Sequence, residues 1–381
     1  MLDIVSAEGV YMYGPAGEKY LDLISGVSVS NTGHRHPKVV KAIKEQVDLY
    51  LHLMVYGELI QSPQVKYAER LVSLLPSVLD NCYFVNSGSE AIEGALKLAK
   101  RYTGRSRIIS FRNSYHGSTH GALSIQGNEL YKNSFRPLLP DTFQIGFNDK
   151  EAVNFIDENT ACVITEPVQA EAGVIWPENN FLELLRQRCN DIGALLIFDE
   201  VQTGFGRIGS MFATERFKVT PDIIVLAKAL GGGMPLGAFI SSKEIMSALT
   251  TNPQLGHITT FGGHPVCCAA GLASLEVIIE EDLVSESKKK SDLIKRNLNN
   301  HAIKEIRGEG LLLAVSLADN ESVSYAIAHA PDFGLIIDYF LFCNNSFRIA
   351  PPLTINEEEI LWACRQLNRL LDDVLKNAEK K

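Results

Sequence analysis

Short runs of mostly apolar residues punctuate this chain, and the longer stretches between them repeat their apolar positions at helical spacing. Cys82–Asn86, Arg107–Phe111, Cys162–Thr165, Leu195–Phe198 and Ile223–Leu226 are runs of this kind and read as strands. They do not alternate with polar residues, so the sheet they form is expected to be covered on both faces. Glu90–Tyr102 carries Ile92, Ala95, Leu96, Ala99 and Tyr102 at helical spacing, and Phe181–Cys189 reads as a second helix. Strands alternating with helices predict an α/β fold with a mostly parallel sheet and ligands at the carboxyl ends of its strands. Near residue 265 the pattern changes. A helix over Pro265–Glu280 and a polar one over Leu283–Asn299 lead into short strands at Leu311–Leu317 and Gly334–Ile337, then an amphipathic helix over Glu357–Lys376. The expected division is a large ligand-binding domain over residues 51–264 and a small α+β domain over 265–381. Residues 1–50 are expected to join the small domain.

Composition narrows the function classes. With 381 residues, 46% of them hydrophobic, the chain has material for two cores. The net charge of −9 is spread along the chain. Lys288-Lys289-Lys290 reads as a solvated helix face, so no nucleic-acid partner is expected. Seven cysteines without a CxxC pair suit free thiols in a reducing compartment, with no metal site. No basic-then-apolar leader opens the sequence, and no apolar run approaches the roughly 20 residues that span a bilayer. A soluble, cytoplasmic protein with no membrane partner is expected.

Two strands end in residues that carry chemistry. Ala194–Phe198 runs into Asp199-Glu200, and Asp222–Ala227 runs into Lys228. A carboxylate and an amine at neighbouring ends of buried strands suggest a site, although each alone also suits a solvated terminus. Asn86-Ser87-Gly88-Ser89-Glu90 joins a strand to a helix. Amides at such a helix start bind phosphate, yet Ser87 and Glu90 equally make a plain capping box. Tyr115-His116-Gly117 offers an aromatic face for a flat ring. Val201–Arg207 holds two glycines beside Asp199, and Gly231–Gly237 reads as a loop that a ligand or another backbone approaches closely.

Taken in order, these motifs resemble the class III aminotransferases. The resemblance rests on Phe198-Asp199-Glu200-Val201-Gln202-Thr203-Gly204-Phe205-Gly206-Arg207, on Ala227-Lys228 with the glycine-rich stretch after it, and on Thr260-Phe261-Gly262-Gly263. It begins at Gly9-Val10-Tyr11, passes through Gly33-His34-Arg35-His36-Pro37 and ends at Arg348–Ile355. It implies the fold-type I architecture of pyridoxal 5'-phosphate enzymes, with a seven-stranded sheet in the large domain. It further implies that Lys228 holds the cofactor as a Schiff base, that Asp199 pairs with the ring nitrogen, and that Ser87, Gly88 and Ser89 hold the phosphate. Thr260 would help from the second subunit of a homodimer. Tyr115, beside His116, and Val201 would face the ring from its two sides, with Gln202 near the ring hydroxyl and Glu166 close by. Glu171 and Arg348 would meet the substrate.

The implied reaction is ping-pong transfer of an amino group from an ω-amino donor, such as acetylornithine, ornithine, lysine or 4-aminobutyrate, to 2-oxoglutarate. Aminomutase, racemase and decarboxylating transaminase chemistry share the scaffold. A non-catalytic binder of the cofactor is the other class of reading, and no output motif accompanies the chain to favour it. Two positions depart from the family pattern. Ser118 stands where many ornithine-type members carry an arginine for a substrate carboxylate, and His264 stands where asparagine is common. With that arginine gone, the donor is expected to be held by shape and by Tyr11, Tyr13 or Tyr56, or to carry no carboxylate at all.

Overall fold

The computed structural model describes residues 2–379. Its centre is a seven-stranded sheet. The strands lie in the order Asn81–Val85, Gly237–Ser241, Ile223–Leu226, Leu195–Asp199, Thr160–Thr165, Arg107–Phe111, Thr142–Ile145. Gly237–Ser241 runs antiparallel to both neighbours, and the other pairings are parallel. This is the α/β architecture expected from the sequence. Every residue of Thr160–Thr165, Leu195–Asp199 and Ile223–Leu226 is buried, because helices cover both faces.

Alternation along one strand sets the two faces. Leu195 and Ile197 pack with Ala91, Ile92 and Ala95 of the helix Gly88–Thr103. Leu196 and Phe198 pack instead with Phe181, Leu182 and Leu185 of the helix Phe181–Ile192. A period of two therefore places Asp199 on the same side as Leu195 and Ile197, toward the Gly88–Thr103 helix. Glu200 faces the other way. It accepts hydrogen bonds from the Ala213 and Thr214 amides at 2.6 and 3.1 Å, and burial pushes its carboxyl up to about 7.

Two strands of the large sheet are poorly signalled by the pattern. Gly237–Ser241 begins at the last glycine of a stretch expected to be a loop throughout, and Thr142–Ile145 is a half-polar edge strand. The reading of close approach nevertheless applies to Gly237, since any side chain there would strike the carbonyl oxygen of Ser87. The backbone of the last sheet strand thus presses against the loop that starts the Gly88–Thr103 helix.

Both chain ends build the smaller sheets. Ser6–Glu8, Tyr11–Tyr13 and Lys19–Asp22 form a meander completed by Leu335–Ile336, which pairs parallel with Lys19–Asp22. A second sheet is ordered Glu305–Glu309, Leu312–Ser316, Ser346–Ile349, Asp338–Tyr339. Arg207 ties these segments to the large sheet. Fully buried, it donates to the carbonyls of Leu311 at 2.9 Å and Pro351 at 2.6 Å, and to Ser25 Oγ and Asn31 Oδ1. Of the three consecutive lysines, Lys288 and Lys289 are exposed as expected. Lys290 is half-buried and donates to the Leu353 carbonyl at 2.6 Å, because the helix Leu283–Asn297 turns that position toward the C-terminal segment. Among the described residues no helix is long and apolar enough to cross a membrane.

Candidate active site

The carboxyl ends of the central strands open into a cavity of about 410 Å³. Most of the candidates from the sequence meet there: Ser87, Gly88, Ser89, Tyr115, His116, Glu166, Asp199, Val201, Gln202 and Lys228 all line it. Ser87 caps the Gly88–Thr103 helix by accepting from the Glu90 amide at 3.2 Å. Glu90 turns back to the Asn86 amide and side chain at 2.7 and 2.8 Å. The capping box and a phosphate site are thus compatible, because the first-turn amides of Gly88 and Ser89 have no acceptor within the helix. Gly117, at φ +124°, lets its backbone pass Ser89 where any side chain would collide.

Asp199 is buried at the cavity wall. Its Oδ2 lies 2.7 Å from His116 Nδ1, and its Oδ1 accepts from the Val201 amide at 3.0 Å. A carboxylate only accepts, so Nδ1 carries the proton in this pair, and among the described residues the buried Nε2 has no partner. Glu166 accepts from the Tyr115 amide at 3.3 Å. Burial, and then the charge of Asp199, pushes its carboxyl well above the usual range. Lys228 follows its strand at φ +50°, a left-handed conformation that is rare outside glycine and costs energy to hold. Burial lowers its amine below the usual lysine value, Arg348 adds to that, and nearby Glu171, Asp199 and Glu166 oppose it. A depressed amine pKa favours the neutral, nucleophilic form.

Glu171 and Arg348 stand just behind this wall, both buried, with Arg348 Nη2 2.6 Å from Glu171 Oε1. Gln202 joins the pair to the cavity, donating to the same oxygen at 3.2 Å. Burial alone would raise the Glu171 carboxyl. Arg348 and Lys228, with bonds from the Leu341 amide and Gln202, outweigh it and hold that carboxyl below its ordinary value.

The remaining candidates lie elsewhere. Thr260 is exposed and lies outside the cavity of this chain, with Tyr56 Oη 3.4 Å from its hydroxyl. Tyr11 sits in the N-terminal sheet beneath Lys19, whose Nζ is 3.5 Å from the ring centre, and neither Tyr11 nor Tyr13 lines the cavity. Strand pairing holds them there. Ser118 Oγ lies 3.2 Å from the Tyr115 hydroxyl, and His264 precedes the helix Pro265–Glu280 with its ring edge-on to His52.

Met234, Pro235 and Leu236, from the stretch read as a loop that a ligand approaches, also line the cavity, and sequence reasoning missed Val29. Val29 follows a left-handed turn with positive φ at Ser25, Gly26, Val27 and Ser28. Ser25 Oγ anchors that turn to the Ala350 carbonyl at 2.7 Å. No sequence signal announces such a turn, because only one of its four residues is glycine.

The family model described as aminotransferase class-III matches residues 1–371. The chain belongs to the class III aminotransferases. This class III aminotransferase is 39% identical over 369 residues to an acetylornithine aminotransferase of Methanopyrus kandleri, covering 96% of this chain and 92% of that one. An ornithine aminotransferase structure from Toxoplasma gondii superposes with a TM-score of 0.90 at 28% identity, over 99% of this chain and 91% of that chain. A PLP-bound amine transaminase from an uncultivated Pseudomonas species gives 0.90 at 29%, over 98% of this chain and 95% of that one.

The aminotransferase is an enzyme that uses pyridoxal 5'-phosphate, and its cavity suits that group. Helix-start amides at one end, a buried carboxylate bonded to His116 and an amide at the other, and a buried Gln202 Oε1 that has no partner among the described residues match a phosphate, a ring N–H and a ring hydroxyl.

Proposed function

We propose that this aminotransferase takes the terminal amino group of an ornithine-like ω-amino donor and passes it to 2-oxoglutarate, both substrates using one site in turn. The observation that carries this is the buried 2.6 Å pair between Glu171 and Arg348. A keto acid has a carboxylate beside its reacting carbon and needs a cation there. An ω-amine has only methylenes, and a bare guanidinium facing them would be left buried and unpaired, at a cost of several kcal/mol. Glu171 covers Arg348 while the amine is bound and swings away when the keto acid arrives. An arginine–carboxylate pair is well suited to two such discrete positions. The relatives named as acetylornithine and ornithine aminotransferases support a donor of this class.

When bound, pyridoxal phosphate supplies an electron sink for the carbon that bears the nitrogen. The chain's own residues do the rest. Ser87, Gly88 and Ser89 hold the phosphate, Asp199 pairs with the ring nitrogen under the orientation of His116, and Tyr115 and Val201 hold the ring between them. Gln202 meets the ring hydroxyl. Lys228 Nζ holds the cofactor between turnovers and moves the proton at the donor's amine-bearing carbon.

Half-reactions followed by cofactor absorbance test the switch. Arg348→Ala slows the half-reaction with glutamate at least about 100-fold and leaves the amine half-reaction within about threefold, since a desolvated arginine–carboxylate contact is lost in one only. Glu171→Ala speeds the glutamate half-reaction relative to the amine one. Equal losses in both half-reactions would make Arg348 structural.

The working unit proposed is a homodimer in the cytoplasm, with Thr260 of each chain reaching the phosphate held by the other. The exposure of Thr260, together with exposed Leu49, Leu51, Leu59, Ile60, Leu255, Ile258 and Phe261, supports this. Sedimentation at micromolar concentration is expected to give a dimer with an interface above roughly 2,000 Å². A fully active monomer would contradict it.

A further inference from the structure

The hairpin between the strands Asp338–Tyr339 and Ser346–Ile349 touches Glu171 twice. The Leu341 amide donates to Glu171 Oε2 at 3.1 Å, and the Phe342 amide donates to the Glu171 main-chain oxygen at 3.0 Å. The Leu341 carbonyl in turn accepts from the Tyr131 hydroxyl at 3.3 Å. The ring of Phe342 stands edge-on to Tyr131, with centroids 5.3 Å apart, and 6.4 Å from the ring of Tyr115, which lines the cavity.

We infer that Phe342 is a positioning residue for the amine half-reaction, bracing Tyr115 at the cavity, and that Glu171 sets its place. The inference rests on the switch proposed above. One carboxylate serves both contacts: Oε1 is committed to Arg348 and Oε2 to the Leu341 amide. Swinging Glu171 off Arg348 therefore strips the Leu341 amide of its acceptor. The main-chain bond from Phe342 is untouched by that rotation, so the hairpin is hinged there and not set free. Phe342 then stands firm beside Tyr115 while Glu171 covers Arg348, and slackens when a dicarboxylate draws Glu171 away. The enzyme's choice between a chain of methylenes and a second carboxylate is made by the same side chain that covers the arginine.

The test uses single-turnover half-reactions of the holoenzyme. Phe342→Ala lowers kcat/KM for an ornithine-type donor about tenfold, the scale on which apolar contacts discriminate substrates, and changes the glutamate half-reaction less than about twofold. Phe342→Leu restores most of the amine rate, which separates wall packing from a folding defect. In a Glu171→Ala background the Phe342→Ala change has little further effect on the amine half-reaction, because the two act through one contact. Equal losses in both half-reactions, or additive losses in the double variant, overturn the inference. Arg348→Ala run alongside separates the readings. A split there without one in Phe342→Ala overturns this inference alone, and no split there overturns the switch and the role given to Phe342 with it.

Discussion

Lys228→Ala lowers turnover by at least about 10⁴-fold, the upper range for loss of a positioned acid–base group, while the protein still binds pyridoxal phosphate. Two functions disappear together. The amine that anchors the cofactor is gone, and so is the group that moves a proton at the substrate carbon. Binding persists because the helix-start amides near Ser87–Ser89 and the Asp199 carboxylate are unchanged. The fold tolerates the change as well, since it removes a buried amine whose charged form burial disfavours, while the left-handed backbone at this position is no more strained with alanine than with lysine. Borohydride reduction of the wild type, followed by peptide mass analysis, is expected to fix the cofactor on the peptide containing Lys228. A label on another lysine would overturn the assignment.

Asp199→Asn is expected to lower turnover on the order of 10³-fold, comparable to removing a preorganised electrostatic partner in other active sites. The substituted oxygen can still accept from the Val201 amide, as Oδ1 does at 3.0 Å. The new amide nitrogen, however, points its hydrogens at His116 Nδ1, which itself carries a proton in the native pair. Either one of the two donors turns away or the imidazole moves its proton to Nε2, and in both cases the ring nitrogen loses its negative partner. Thermal melting within a few degrees of wild type, together with the rate loss, marks the effect as electronic. Near-normal turnover would make the strand-end carboxylate a solvated terminus.

The strands that present these two residues were legible because burial on both faces leaves an unmistakable apolar run: Ile223–Leu226 matches its expected bounds, and Leu195–Phe198 is extended only by Asp199. Arg107–Phe111 and the helix Pro265–Glu280 match theirs too. The strand Ser346–Ile349 escaped for the opposite reason. It is fully buried, but two of its four residues are Ser346 and Arg348, so a buried cation erased its apolar signal. Gly334–Ile337 shrank to Leu335–Ile336, whose partner lies at the far end of the chain where local periodicity carries no information. Of the tyrosines expected at the donor, the meander's register sends Tyr11 and Tyr13 to the N-terminal sheet. Val29 was invisible because a left-handed turn leaves no composition to read.

That far pairing also sets an order of events during synthesis. The strand Lys19–Asp22 has one of its edges closed by Leu335–Ile336. At ~5–20 residues per second, a ribosome needs roughly 15–60 s to supply the second strand after the first. For that interval the three-stranded meander, whose strands have only three or four residues each, has an open side. The large sheet has no such wait, since all seven of its strands lie between Asn81 and Ser241. The nascent chain can therefore assemble the platform around Asp199 and Lys228 while its own beginning still hangs unfinished, and the N-terminal strands close over it only as the last third emerges.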